Sequence, residues 1–229
     1  MIVIDIFILQ VKLDEKNRKL YHLTLSNENV ITVHEDIMIR FQLTKGTGLE
    51  TALIDDIINE NQSYLAYIRA IRYLALKNRT SYQVATYLKQ LEFDAEHIDH
   101  AIYKLTKDGY LDDERYAVDF LKFSSKAKTK GINWIKQHLN QIGLSREHIS
   151  KALEQYDDEQ DLQLAIELVI KKWPQLKGEE HIKKQKCAQF LLRKGITGDI
   201  VRKAMKSVEN KRLFDENPEI PSSYSLSVR

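Results

Sequence analysis

The 229-residue chain has one cysteine, three prolines and eight glycines. A single thiol, Cys187, cannot close an intramolecular disulfide, and no Cys/His group has the spacing of a structural zinc site. A reducing cytoplasm suits such a chain. So few glycines and prolines beside a charged fraction of 30% argue against a turn-rich β-sandwich and for helices with solvated faces. The apolar start, Met1 to Leu9, is interrupted by Asp5 and gives way to Gln10 and Lys12. It lacks a basic leader, is too short to span a membrane, and reads as a strand. There is no Gly-rich phosphate loop and no serine elbow. His97 and His100 lack a second ligand pair, and Asp112 and Asp113 lack a converging third group, so neither metal, cofactor nor enzymatic chemistry is expected.

The formal net charge is only +2, but the charges are segregated. Residues 1–63 hold ten acids against six bases. Residues 122–151 hold seven bases (Lys122, Lys126, Lys128, Lys130, Lys136, Arg146, Lys151) and the single acid Glu147. Residues 177–206 hold nine bases against Glu179, Glu180 and Asp199. Two basic stretches separated by the acidic run 154–161 suit an anionic partner, or else solvated helix faces.

Short strands are expected around Val3, Ile4, Ile6, Ile8 and Val11, then over 20–25 and 30–33, with turns at Asn17 and Asn27. A helix over 36–43 and a loop over 45–49 follow, and then helical periodicity takes over. An internal repeat of about 51 residues appears when Leu88, Leu139 and Leu191 are superposed. Val84, Ile135 and Cys187 then coincide, as do Asp94, Ser145 and Thr197, then Glu96, Glu147 and Asp199, then Ile98, Ile149 and Val201, then Ala101, Ala152 and Ala204. This pattern is one helix start written three times: a capping side chain, an acid facing the positive end of the helix dipole, and apolar residues three apart. The first copy predicts helices over 64–77, 82–91 (capped by Ser81) and 95–107, ended by Gly109. The second starts at Asp113, breaks at Gly131 and turns at Gly143. The third starts near Asp161, breaks at Pro174 and Gly178, and turns at Gly195.

The expected fold is mainly α: tandem three-helix repeats in an elongated curved array behind a small β-rich segment. The segments are 1–63 (β-rich, with a short helix), 64–111, 112–157 and 158–210 (three repeats), and 211–229 (a flexible tail).

The junction Asp108-Gly-Tyr-Leu-Asp-Asp-Glu-Arg-Tyr-Ala117 resembles the motif opening the second repeat of RecX proteins. Arg69-Ala-Ile-Arg-Tyr-Leu74 with Asn78-Arg-Thr-Ser81 resembles their first repeat, and residues 1–63 resemble the N-terminal extension of longer members. In the junction, Asp112 is placed as an N-cap, with Leu111 and Tyr116 at hydrophobic-staple positions. The third repeat departs from the pattern, with Lys194 where Leu91 and Ile142 stand and Pro174 late in its first helix. The resemblance implies a cytoplasmic, non-enzymatic regulator of recombination, DNA repair and the SOS response. Such a protein binds the RecA recombinase filament on single-stranded DNA and inhibits its ATPase and strand exchange. A monomer with weak double-stranded DNA affinity and no membrane association is expected.

The expected contacts are Lys122, Lys126, Lys128, Lys130 and Lys136 in the second repeat. In the third they are Lys183, Lys184 and Lys186, whose position near a helix N-terminus opposes the dipole, with Arg193, Lys194, Arg202, Lys203 and Lys206. Most tyrosines of the first repeat are expected to pack between helices, Trp134 to be exposed, Trp173 to lie between repeats, and Cys187 to be a buried small hydrophobe. Two other readings fit the pattern: a helical protein that binds DNA directly, and a helical-repeat protein adaptor.

Overall fold

The computed structural model describes residues 6–154 and 156–216. Val3 and Ile4 of the expected first strand, and residues 217–229 of the expected tail, lie outside the described residues. The N-terminal strands are β1 (Ile6–Leu13), β2 (Leu20–Leu25) and β3 (Val30–His34). The two-residue β4 (Gly48–Leu49) makes the sheet four-stranded and antiparallel, in the order β3-β2-β1-β4. Residues 45–49 were expected as a loop, but Leu49 and Gly48 pair with Ile6 and Phe7, a strand too short to leave a periodic signal. Period-two alternation sends Ile6, Ile8, Leu23, Leu25 and Val33 into one core. The first turn is held by Asp14, whose carboxylate accepts backbone N–H groups of Lys16 and Asn17 and binds the His22 ring at 2.9 Å. The Asn17 hydrogen bond, followed by His22, holds the Asp14 pKa below its ordinary value.

Helix α1 (Glu35–Arg40) starts under a His34 cap and stops short of the expected Leu43. Gln42 takes a left-handed φ of 53°, which ends the helix and turns Leu43 into the sheet core. Helix α2 (Thr51–Leu74) is the main difference from expectation: it is continuous for 24 residues, so the expected boundary at 63/64 falls inside it. Its first half faces the sheet through Ile54 and Ile57, with Tyr64 against the same core. Its second half supplies Ala66 and Ala70 to the first repeat. Asn61, buried between them, accepts from the His34 N–H at 2.8 Å and donates to the Thr32 carbonyl at 3.1 Å. One side-chain amide thereby satisfies the outer edge of β3.

The chain divides into two compact units, residues 1–112 and 113–229. The first repeat closes with α3 (Ser81–Gln90) and α4 (Ala95–Lys107). Thr80, rather than Ser81, is the cap of α3, in a reciprocal capping box with Gln83. The second repeat consists of α5 (Asp113–Ala127), α6 (Ile132–Gln141) and α7 (Arg146–Leu153). The third consists of α8 (Asp158–Lys172), a 3-10 turn over Trp173–Gln175, α9 (Glu180–Arg193) and α10 (Gly198–Glu216). Residues 211–216 thus belong to a helix rather than to a tail. Leu88, Leu139, Leu191, Val84, Ile135, Cys187, Ala101, Ala152 and Ala204 are all fully buried, so the repeat register is also the register of the cores. Of the aligned caps, Ser145 accepts from the His148 N–H at 3.1 Å, whereas Asp94 makes no side-chain cap bond. Leu111 is buried in the core of the first repeat and Tyr116 packs on that of the second.

Every second helix ends alike. Backbone N–H groups of Phe93, Leu144 and Ile196 return to the carbonyls of Leu88, Leu139 and Leu191, across a residue in left-handed conformation: Glu92 (φ 64°), Gly143 (83°) and Gly195 (87°). The last C-cap of these helices is Lys194, where the first is Leu91. Leu91 is itself 43% exposed, which explains why a lysine fits the pattern.

The second and third repeats are locked through their backbones. Gly131 N–H donates to the Lys194 carbonyl and Asn133 N–H to the Gly195 carbonyl, both at 2.9 Å. A Cβ on Gly131 would lie 2.7 Å from the Gly195 oxygen, and one on Gly195 would lie 2.4 Å from the Trp134 Cβ. Gly131 is the N-cap of α6 and has no side chain to cap with. Fully buried Asp161 of α8 does so instead, accepting from the Ile132 N–H at 3.0 Å while Tyr156 donates its hydroxyl to the other carboxylate oxygen. The negative charge sits at the positive end of α6. The start of α8 belongs to Asp157, which accepts from the Glu159 N–H.

Candidate functional site

The structure divides the thirteen candidate cations of the second and third repeats by what already holds them. Lys122 and Lys126, one helical turn apart on α5, are exposed. They line a cavity of about 290 Å³ with Val118, Ser125 and Tyr156. Lys136 on α6 and Lys203 on α10 flank a second cavity of about 460 Å³ that also contains Thr197, Asp199 and Glu159. Lys183, Arg193 and Lys206 make no ion pair among the described residues, nor do those four lysines.

The remaining six are engaged internally. Lys128 pairs with Glu167 at 3.2 Å, and Arg202 pairs with Asp199. Lys130 lies 4.8 Å above the Trp134 ring, Lys194 lies 5.6 Å from the Phe190 ring, and Lys186 donates to the Lys177 carbonyl. Lys184 meets Glu209 and Glu180, each at 2.9 Å, and these hydrogen bonds, Glu209 first, raise its pKa. Its placement against the dipole of α9 therefore has a local explanation: two carboxylates offset it.

Trp134, expected to be exposed, is half-buried, because its ring lies between Lys130 and His138, with the imidazole stacked at 5.0 Å. His138 also stacks on Phe120 at 4.8 Å. Trp173 is buried within the core of the third repeat itself. Cys187 is in the same core, and burial pushes its thiol pKa up, as befits an inert packing residue.

In the first unit, ligand atoms of His34, Glu35 and Asp36 lie within 4.8 Å of one another, but each has a structural partner. His34 Nδ1 accepts from the Asp36 N–H, Asp36 accepts from the Tyr64 hydroxyl, and Glu35 pairs with Lys19. Burial lowers the pKa of His34, and desolvation with the Asp36 hydrogen bond pushes Tyr64 up to about 12. Tyr67, bonded to Asp108 at 2.8 Å, likewise rises to about 12, with desolvation the larger cause. His97 is buried with its Nδ1 3.0 Å from the Ser63 hydroxyl.

A further basic signal lies in the first repeat. Between Glu60 and Glu92 there is no acidic residue, while Arg69, Arg72, Lys77, Arg79 and Lys89 are interleaved with Tyr64, Tyr67, Tyr73, Tyr82 and Tyr87. None of these five cations is in an ion pair among the described residues. The run falls almost wholly between the acidic segment 1–63 and the basic stretch that begins at Lys122.

Among the described residues, no helix is long and apolar enough to cross a membrane. Family models for the first and third three-helix domains of RecX match residues 66–105 and 158–205, respectively. The chain is 30% identical to the regulatory protein RecX of Listeria monocytogenes serotype 4a, covering 86% of this chain and 74% of that protein. It is also 30% identical to the regulatory protein RecX of Limosilactobacillus reuteri, over 81% and 71%. A crystal structure of a regulatory protein RecX superposes with a TM-score of 0.71 at 28% identity, covering 88% of this chain and 99% of that one. Three phased helical repeats behind a small sheet, two of them matched by the family's own domain models, make this chain a member of the RecX family of regulatory proteins.

Proposed function

We propose that the chain is a negative modulator of the RecA recombinase, binding the RecA filament on single-stranded DNA and inhibiting its ATPase and strand exchange. Family membership supplies the class of partner. The observation that carries the contact is the set of cations without carboxylate partners among the described residues of the second and third repeats: exposed Lys122, Lys126, Lys136, Lys203, Arg193 and Lys206, with half-buried Lys183. A nucleoprotein filament is long, repetitive and anionic, so several separated cations gain by engaging it together. Lys128, Lys184 and Arg202 contribute less, because each must first leave a carboxylate. The protein acts in solution in the cytoplasm as a monomer, without catalysis of its own.

Capture of the protein on filaments assembled with a slowly hydrolysed ATP analogue tests this reading. Retention should fall steeply with salt and fall further when Lys122, Lys126 and Lys203 are changed together to Glu. Retention that ignores both salt and these changes would favour a salt-insensitive helical-repeat adaptor instead.

A further inference from the structure

The first repeat carries a contact of different construction from the lysines above. The guanidinium carbon of Arg79 lies 4.1 Å from the Tyr73 ring centroid, and Tyr73 stacks on Tyr87 with centroids 4.0 Å apart and planes 11° from parallel. At such separations the cation and the second ring must occupy opposite faces of Tyr73, giving a three-layer stack of Arg79, Tyr73 and Tyr87. Arg79 sits in the link between α2 and α3, immediately before the Thr80 cap. Its Nε is buried with no hydrogen-bond partner, and no carboxylate pairs with the group among the described residues. Beside it in sequence are Leu76, 80% exposed, and Tyr82, 56% exposed.

A guanidinium held flat against a ring has lost rotamer freedom before any ligand arrives, so its outer edge is preorganised for two-point recognition of an anion. Residues 61–91 contain no acid, so none neighbours it along the chain, and it makes no ion pair among the described residues. Exposed aromatic and apolar side chains alongside unpaired cations are what a single strand needs, since its bases are free to stack while its phosphates pair. A duplex offers no unstacked base for Tyr82.

The geometry points to the Arg79–Tyr73–Tyr87 stack, with Tyr82 beside it, as a binding site for single-stranded nucleic acid, the guanidinium taking a phosphodiester and Tyr82 a base. This rests on the proposed function only in that both involve a single strand, and it operates on bare strand without a filament.

The test is fluorescence anisotropy of a labelled oligothymidylate with the full chain, without RecA, over a salt series. It compares wild type, Arg79→Ala, Arg79→Lys and Tyr82→Ala, each also melted thermally. Arg79→Ala should bind about tenfold more weakly, with a log-affinity against log-salt slope shallower by about 0.7. Arg79→Lys should keep the slope but lose most of the affinity, because lysine keeps the charge and not the fork. Tyr82→Ala should weaken binding by about fivefold or more at an unchanged slope. Failure of the wild-type chain to bind, or binding unchanged in the alanine variant at Arg79, overturns the proposal. So does displacement of the oligonucleotide by poly-glutamate at matched charge concentration, which would make the site one for acidic peptide. If Arg79→Ala melts early, Arg79→Lys decides alone. Since RecA is absent, failure here leaves the filament reading intact, and a chain that binds oligonucleotide yet ignores RecA would sink only the latter.

Discussion

The first repeat closes itself, whereas the second is closed by the third. At the start of α3 the cap is Thr80, bonded within its own helix. Fifty-one residues on, the same position is Gly131, and the cap of α6 is Asp161, borrowed from α8. At the far end of these helices the left-handed position is Glu92 in the first repeat and Gly195 in the third. Glu92 tolerates the strain at a solvent-facing turn, whereas Gly195 is pressed against Trp134. One sequence pattern thus yields a second helix capped from within in the first repeat and one capped by the next repeat in the second, decided by a few side chains at helix ends. Charge is divided within the later repeats instead: Lys128, Lys184 and Arg202 have carboxylate partners, whereas Lys122, Lys126, Lys136 and Lys203, like the cations of the first repeat, make no ion pair among the described residues.

The largest effect should come from Gly195→Ala, which combines a left-handed alanine with a backbone collision. A loss of about 2–4 kcal/mol in denaturant unfolding is expected, against about 1 kcal/mol for Gly109→Ala, where φ is 77° but the space is open. Equal costs would mean that the backbone lock between the second and third repeats is not formed. Asp161→Ala leaves the Ile132 N–H buried without its acceptor. It should cost about 1–3 kcal/mol and loosen α6 as well as α8, visible as faster amide exchange in both helices. Loss confined to α8 would count against the borrowed cap. In the first unit, Asn61→Ala exposes the edge of β3 at a comparable cost of about 1–3 kcal/mol, read from melting of the sheet.

Glu92→Gly should stabilise the chain by about 1 kcal/mol by removing left-handed strain; destabilisation would show that Glu92 has a role its backbone does not reveal. The smallest effect is a pH response. Because burial lowers the folded pKa of His34 below its unfolded value of about 6.5, the unfolded state binds the proton first. Stability is therefore full above about pH 6.5 and declines as pH falls from there towards the folded pKa. Melting temperatures from pH 7.5 to 5.5 should show this decline, and His34→Asn, which keeps a capping side chain, should flatten it.

The repeats were legible because their cores obey one period: Leu88, Leu139 and Leu191 align in sequence and are equally buried in space. The expected boundary at 63/64 falls inside α2, where Asn61 is polar in order to satisfy the β3 edge. Local pattern carries no sign of a partner 27 residues away. The borrowed cap was hidden for the same reason: Asp161 looks like the start of its own helix. Of the candidate contacts, the spacing of Lys122 and Lys126 was readable directly. The proximity of Lys136 and Lys203, and the neutralisation of Lys184 by Glu209, required the fold. The basic run of the first repeat is present in the sequence as the acid-free stretch 61–91, outside the two basic stretches of the later repeats.

The central claim is that unpaired cations on a three-repeat RecX chain act on RecA. Its most direct test is RecA ATP hydrolysis on single-stranded DNA with this protein titrated in at two salt concentrations, alongside the variant in which Lys122, Lys126 and Lys203 become Glu. The account predicts inhibition at stoichiometric protein, weakened by salt and largely lost in the variant. Hydrolysis unchanged by the wild-type protein at either salt concentration would contradict it.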